Sequence, residues 1–461
     1  MKQSRRDFLA AASCFGTVSM GVKCHAVEGN GNGYGSMLGF AATPLAKVRV
    51  AVAPGVDQPV GRLCHFPGVE ITALCAETNE DLKYAKGGIE RAKLPPPREY
   101  VGADACKRMV DDGVADVFYN SMYCLNSTDI NVYAMNGKMH VVSSPPVRCT
   151  IDDCWKLVEA SEKNRVHCTS ASFGSIYGEH ALFALNVVRR GLLGDVMACS
   201  GTYFRDWRRM LGSEKPARQT ARWEARMASK GVSCPWDAFA PLSRCLDINH
   251  GDRLETLVAM SSGNASLQAF AESNKDVTLS DRLRNDSSDM CATLLRTARG
   301  RLVTLRQALT LSCPWHAPTD VYGTKGVLSW GGTDGLKMTC DKTSGGSRTG
   351  KFFDDKITEG MREKLKHPLW KSVGAIARKV GGHGGAGFIN DMRCIYCLRN
   401  GLPMGIDVYD FATWASLMEL TDKSARAGGQ AVKVPDFTRG KWKSVIPMPI
   451  EEVDVEKFLQ A

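Results

Sequence analysis

No stretch of this 461-residue chain gathers lysine and arginine into a dense run, although 59 of them stand against 49 acidic residues and leave a formal charge of +10. Charge spread in this way describes a solvated basic surface. With neither a clustered stripe nor a reading motif, nucleic acid is not an expected partner. Long hydrophobic runs are missing as well. The apolar stretch Leu9 to Val22 is too short and too rich in small residues to span a bilayer, so the mature chain is expected to have no membrane span. Internal repeats and low-complexity tracts are absent. The cysteines also lack metal-site spacing: Cys394 and Cys397 form a C-x-x-C inside a helical pattern with no second pair nearby, and read as core-facing. No metal ligand is assigned.

What is present begins at the N-terminus. Ser4-Arg5-Arg6-Asp7-Phe8-Leu9, the apolar stretch and then Cys24-His25-Ala26 describe a Tat-type export signal over residues 1–26. Residues 27–45, rich in glycine, read as a linker. The expected location is the periplasm or cell surface. Two of the seventeen cysteines, Cys14 and Cys24, fall in that signal. Others, such as Cys75, Cys168, Cys199 and Cys291, sit in apolar segments as small hydrophobes. Folding before export would keep such thiols reduced.

From Ala46 strand and helix alternate. The apolar runs Val48–Ala53, Val69–Leu74, Ala115–Tyr119 and Met139–Val142 predict strands, and Thr150-Ile151-Asp152-Asp153 reads as the cap of a helix running to Lys163. The class is α/β: a Rossmann-like, doubly wound parallel sheet over 46–165. An α+β open-sheet domain is expected over 166–461, largely antiparallel, with strands at Val196–Phe204, Leu254–Met260, Cys291–Thr297 and Leu302–Leu311. Residues 340–380 read as loop, and two helices follow, near 387–400 and 408–427.

Certain strings narrow this layout: His367-Pro368-Leu369-Trp370, Gly381-Gly382-His383-Gly384-Gly385, Asp407-Val408-Tyr409-Asp410, Pro435-Asp436-Phe437-Thr438-Arg439-Gly440 and Ile248-Asn249-His250-Gly251-Asp252-Arg253. On a Rossmann unit followed by an open sheet, they resemble the Gfo/Idh/MocA oxidoreductases, and within that fold family 109 of the glycoside hydrolases. The similarity runs from about Val48 to Trp442. It implies NAD-dependent cleavage of alpha-linked N-acetylgalactosamine, with NAD tightly held and a carbohydrate as substrate. In the implied chemistry, hydride leaves sugar C3 and a base removes the acidified C2 proton. The C1 substituent is then eliminated, water adds and the hydride returns. No pair of carboxylates of the usual glycosidase kind is needed.

Carried onto this chain, the resemblance nominates Gly55, Gly61 and Arg62 for the phosphate turn, although two prolines and Asp57 interrupt it. The second strand ends on Ala76, where a carboxylate normally accepts ribose hydroxyls, and Glu77 follows one residue later. Ser121 stands at the family's Thr-Pro turn, Asn126 in place of a histidine and Ser144 in place of a glutamate. None of these carries a proton at neutral pH. A working NAD site and a Rossmann scaffold that has lost NAD both stay open.

On the sugar side, Tyr177 matches a family tyrosine that faces substrate, with helix capping as its alternative. The family's Tyr-Pro-Thr-His aligns with Cys234-Pro235-Trp236-Asp237, so Asp237 stands for a neutral base and, at an ordinary pKa of about 3.9, is the weaker one. His316 falls where a catalytic tyrosine is expected and titrates in a useful range. His383 keeps its glycine setting, with Ala386-Gly387 in place of Met-Asp. The catalytic candidates are therefore Tyr177, His383, Asp237 and His316. Trp236, Trp315 and Arg253 are candidates for holding the sugar, the indoles by stacking. A glycan-binding relative without catalysis, or a sugar oxidoreductase, are the competing readings. Nothing in the sequence sets the oligomeric state, and a homo-oligomer stays open.

Overall fold

Val48–Ala53 (β1), a run of valine and alanine, exposes only Arg49, as a parallel strand covered on both faces requires. The computed structural model describes residues 34–444 apart from 56–57, 123, 172–175, 214–216, 333–334 and 342–350. The export segment, residues 27–33 of the linker and Asp57 lie outside the described residues. With Val69–Ala76 (β2), Arg98–Val101 (β3), Val117–Asn120 (β4), His140–Ser143 (β5) and Cys168–Ser170 (β6), β1 builds a six-stranded sheet of order β3-β2-β1-β4-β5-β6. Its pairings are all parallel. The order reverses between β1 and β4, and at such a point the loops diverge and leave a crevice. Thr150 and Asp153 close a reciprocal capping box on the helix Ile151–Asn164.

The second sheet comprises Val196–Phe204 (β7), Leu254–Ser261 (β8), Cys291–Thr297 (β9), Leu302–Ala308 (β10), Thr319–Gly323 (β11), Gly326–Gly332 (β12), Gly335–Cys340 (β13) and Val432–Lys433 (β14). Its order is β13-β12-β11-β7-β10-β9-β8-β14. Every pair is antiparallel except β7 with β10. Residues of β9 are buried and exposed in strict alternation, so one face is covered and the other open.

The helix Val408–Arg426 packs between Ile151–Asn164 and β8 and joins the two sheets into one apolar core. Ala386–Asn400 returns to the first sheet and packs on β1 and on the short helix Val60–Leu63. Cys394 and Cys397 are buried on this returning helix. Among the described residues, no helix is long and apolar enough to cross a membrane.

Part of the region expected as loop is helical, over Asp355–Lys364 and Pro368–Val380. Local caps explain the difference. Asp354 accepts from the Ile357 amide, while His367 accepts from Leu369 with Pro368 fitting the first turn.

Candidate active site

At the reversal point, the ends of β1, β2 and β4 open into a cavity of about 460 Å³ lined by Gly55, Ala76, Glu77, Met122, Arg222 and Trp223, among others. Gly55 is required here by close packing. A Cβ on it would lie 1.8 Å from the Ser121 carbonyl oxygen. Gln58 closes the turn by donating from Nε2 to the Gly55 carbonyl at 2.7 Å. Glu77 is exposed on the cavity wall, where a ribose would present its hydroxyls.

The phosphate side is built differently. The helix after the turn, Val60–Leu63, is a single turn entered from Pro59, which has no N–H to offer. A Cβ on Gly61 would meet nothing. Arg62 turns inward: its Nε donates to Oδ2 of Asp391 at 2.6 Å, with both side chains buried. The crevice therefore suits the adenosine half of a dinucleotide better than the pyrophosphate.

The glycine block belongs to that ion pair. A Cβ on Gly382 would stand 2.9 Å from Arg62 Cδ, and one on Gly387 would stand 3.2 Å from its Cζ. The backbone at Gly382, at φ 81, is also one that glycine adopts freely. His383 opens a short 3-10 turn with φ 48 and is exposed. Three further family strings are structural. His367 caps its helix and Trp370 Nε1 donates to the Tyr177 carbonyl at 2.9 Å. Arg439 donates to both oxygens of buried Glu162 at 2.8 Å, and Tyr409 Oη donates to the same carboxylate at 2.6 Å.

Tyr177 is only 2% exposed, with the Arg244 guanidinium 5.8 Å from its ring centroid. Ser121 and Ser144 are buried at the ends of β4 and β5, where their amides continue the ladder to Ala53 and Asn120. Beneath them Asn120, Ser127, Asn131 and Ser143 hydrogen-bond to one another.

Asp237 is placed from the second sheet. A Cβ on Gly201 would lie 2.2 Å from the Ala238 carbonyl oxygen, so the helix Pro235–Ala238 rests directly on one face of β7. Arg226 lies beside it, donating to Cys234 Sγ at 3.1 Å and to the Pro146 carbonyl at 2.9 Å. Pro146 follows β5, so this contact brings Asp237 toward the ends of the parallel strands. The Asp237 side chain is open to solvent on one side, yet protein mass surrounds it. Burial pushes its carboxyl up to about 6, against the opposing pull of Arg226 and Arg205.

Tyr203 and Arg205 follow Gly201 on the same face, by the two-residue period of a strand. The Arg205 Cζ lies 5.8 Å from the Tyr203 ring centroid and 5.7 Å from that of Trp315, an indole 59% exposed. His316 takes the other side. It bridges to Phe204, and the two rings are 6.2 Å apart. Directly paired residues share a face, so His316 looks away from Asp237.

Trp236 is 2% exposed and packs edge-on to Phe411, which leaves it no surface to offer a sugar. Arg253 precedes β8, donating to the Leu254 carbonyl and standing 3.9 Å from Glu255, apart from this cluster. Its string serves the fold: His250 Nε2 lies 3.5 Å from Asp410 and 3.6 Å from Asp407, which together cap Val408–Arg426. Burial alone would lower the His250 pKa, but Asp410 and Asp407 outweigh it and raise it to about 9.

Asp237 and Trp315 thus come to one side of β7, whereas Trp236, His316 and Arg253 do not join them. Sequence reading nominated neither Arg205 nor Arg226. The spacing Gly201, Tyr203, Arg205 marks the first, but nothing local marks Arg226, which meets Pro146 only in the fold.

The description "Glycosyl hydrolase 109, C-terminal domain" matches residues 177–444. A protein of Bacteroides fragilis named alpha-N-acetylgalactosaminidase is 31% identical over 414 residues, covering 88% of this chain and 96% of that protein. A glycosyl hydrolase family 109 protein of Solibacter usitatus is 32% identical over 457 residues, covering 97% and 100%. Among solved structures, a levoglucosan dehydrogenase in complex with NADH superposes with TM-score 0.59 at 13% identity, over 85% of this chain and 100% of its own. The WlbA dehydrogenase of Bordetella pertussis, bound to NADH and UDP-GlcNAcA, superposes at 0.57 with 15% identity, over 86% and 100%. These two likenesses show the fold.

Proposed function

Because the chain belongs to glycoside hydrolase family 109, we propose that it cleaves alpha-linked N-acetylhexosamine by oxidation, elimination, addition and reduction, with NAD in the crevice between β1 and β4. Glu77 would meet the ribose hydroxyls, Gly55 allows close backbone approach, and Met122 and Trp223 supply apolar walls. When bound, NAD supplies reversible removal of hydride from sugar C3.

The rest is done by this chain's own groups. Asp237 takes the proton from C2 once C3 is a carbonyl, and returns it after water has added at C1. The observation that carries this reading is the place of Asp237, exposed on one side of β7 with Arg226 and Arg205 beside it, where the surrounding protein raises its carboxyl to about 6. A base serves best near the working pH, and an acid at its ordinary value would hold the proton too weakly. Arg205 and Arg226 favour the carboxylate form that begins the cycle.

Two measurements test the proposal. Protein denatured after purification should release NAD, and aryl alpha-N-acetylgalactosaminide should be hydrolysed without net NADH formation. Absence of nucleotide together with no thermal shift on added NAD would defeat it.

The one-turn helix and the committed Arg62 favour a second reading, a glycan-binding relative without catalysis. That reading predicts sugar binding in protein free of NAD. Export by the Tat route is proposed from Arg5 and Arg6. Replacing both by lysine should leave the protein in the cytoplasm, and unchanged export would reject the route.

A further inference from the structure

The guanidinium of Arg205 is placed but unspent. Its aromatic neighbours Tyr203 and Trp315 restrict it, and both lie on the Asp237 side of β7. Among the described residues, no carboxylate reaches ion-pair distance of it and its N–H groups meet no acceptor. The adjacent acid is not available, because Asp206 accepts from Arg208 through both oxygens, at 2.9 and 2.7 Å. A rigid planar fork held beside aromatic rings, with its donors open to solvent, matches the geometry of carboxylates and sulfate esters.

We propose that Arg205 binds an acidic substituent of the glycan, a sulfate ester or a carboxylate, while Trp315 stacks on the sugar that carries it. This rests on the reading of the Asp237 side of β7 as a sugar site. It adds that the substrate class is anionic rather than neutral N-acetylhexosamine glycans. Arg226 adds positive charge on the same side, since its field also reaches Asp237. An acid bound at Arg205 would neutralise part of the positive field on Asp237, so acidic substrates should move the pH profile of hydrolysis upward.

The test is isothermal titration of the full chain with N-acetylgalactosamine, its 6-sulfate, and a disaccharide pairing it with a glucuronic acid. A charge-assisted pair should make at least one acidic sugar bind roughly tenfold tighter than the neutral one. Which one does so distinguishes sulfate from carboxylate. Arg205→Ala should bring the ratio to about one and Arg205→Lys should restore part of it, because ammonium is a point charge without the fork. Arg205→Gln serves if the alanine variant does not fold. Equal affinities in the unaltered protein, a preference that survives in Arg205→Ala, or no binding of any of the three sugars would each overturn the proposal. Hydrolysis of a neutral aryl glycoside and release of NAD are read separately. The hydrolase reading can therefore fail while the acidic preference stands, or the reverse.

Discussion

The Nε of Arg62 and the Oδ2 of Asp391 meet at 2.6 Å although 329 residues separate them, and neither side chain has appreciable contact with solvent. The pair fastens the short helix after β1 to the helix that returns from the far end of the chain. Asp391→Ala would remove the carboxylate that this buried Nε meets, a loss of about 3–5 kcal/mol. Urea denaturation should show this. Arg62→Met with Asp391→Leu should recover most of it. A single-variant loss below about 1 kcal/mol would mean that the pair is not a structural lock.

Asp237 combines a catalytic expectation with a stability one. Its folded pKa of about 6 lies above the ordinary 3.8, so the folded state keeps the proton longer. Stability from this residue therefore falls as pH rises through that window and stays lowered above it. Asp237→Asn should raise Tm above pH 6, with the gain vanishing below 3.8. The same variant should lower kcat by roughly 10²–10⁴. In the unaltered enzyme, kcat/KM should fall as pH drops through about 6. An acid limb elsewhere would remove Asp237 as the base.

The buried His250 behaves in the complementary way. Its pKa is raised from 6.5 to about 9 by Asp410 and Asp407, so its stabilisation is complete below 6.5 and lost as pH rises through 9. Thermal melts across that range should fall more steeply for the unaltered protein than for His250→Gln. Parallel slopes would show that the histidine is already neutral.

The two tryptophans once paired as sugar-stacking candidates should separate. Trp236→Ala empties a core position and should cost about 3–5 kcal/mol. Trp315, 59% exposed, should change stability by no more than about 0.5 kcal/mol when replaced by alanine, while weakening sugar affinity. Melting curves and titration on the same preparations check both.

Much of the fold is legible along the chain because its causes are local. Valine runs such as Val48–Ala53 mark the buried parallel strands, and Thr150 with Asp153 marks a helix start. The two helices inside 340–380 escaped because Asp354 and His367 act as caps in a stretch whose composition suggests loop. For the site, the family resemblance brought out Asp237 and Trp315 but gave no account of their surroundings. The raised carboxyl comes from the protein mass around it, and its charged neighbours Arg205 and Arg226 arrive from separate segments.

The strings that identify the family are the ones the chain determines by itself, and in the structure they hold the frame. The glycines make room for Arg62, Asp407 and Asp410 cap a helix beside His250, and Arg439 pairs with Glu162. Glycine spacing and cap residues act over a few positions, so sequence states them directly. Which groups gather on one side of β7 was decided only by tertiary structure. A carboxyl's proton affinity and a guanidinium's freedom depend on distances between separate segments of the chain, and those distances exist only once the elements have packed.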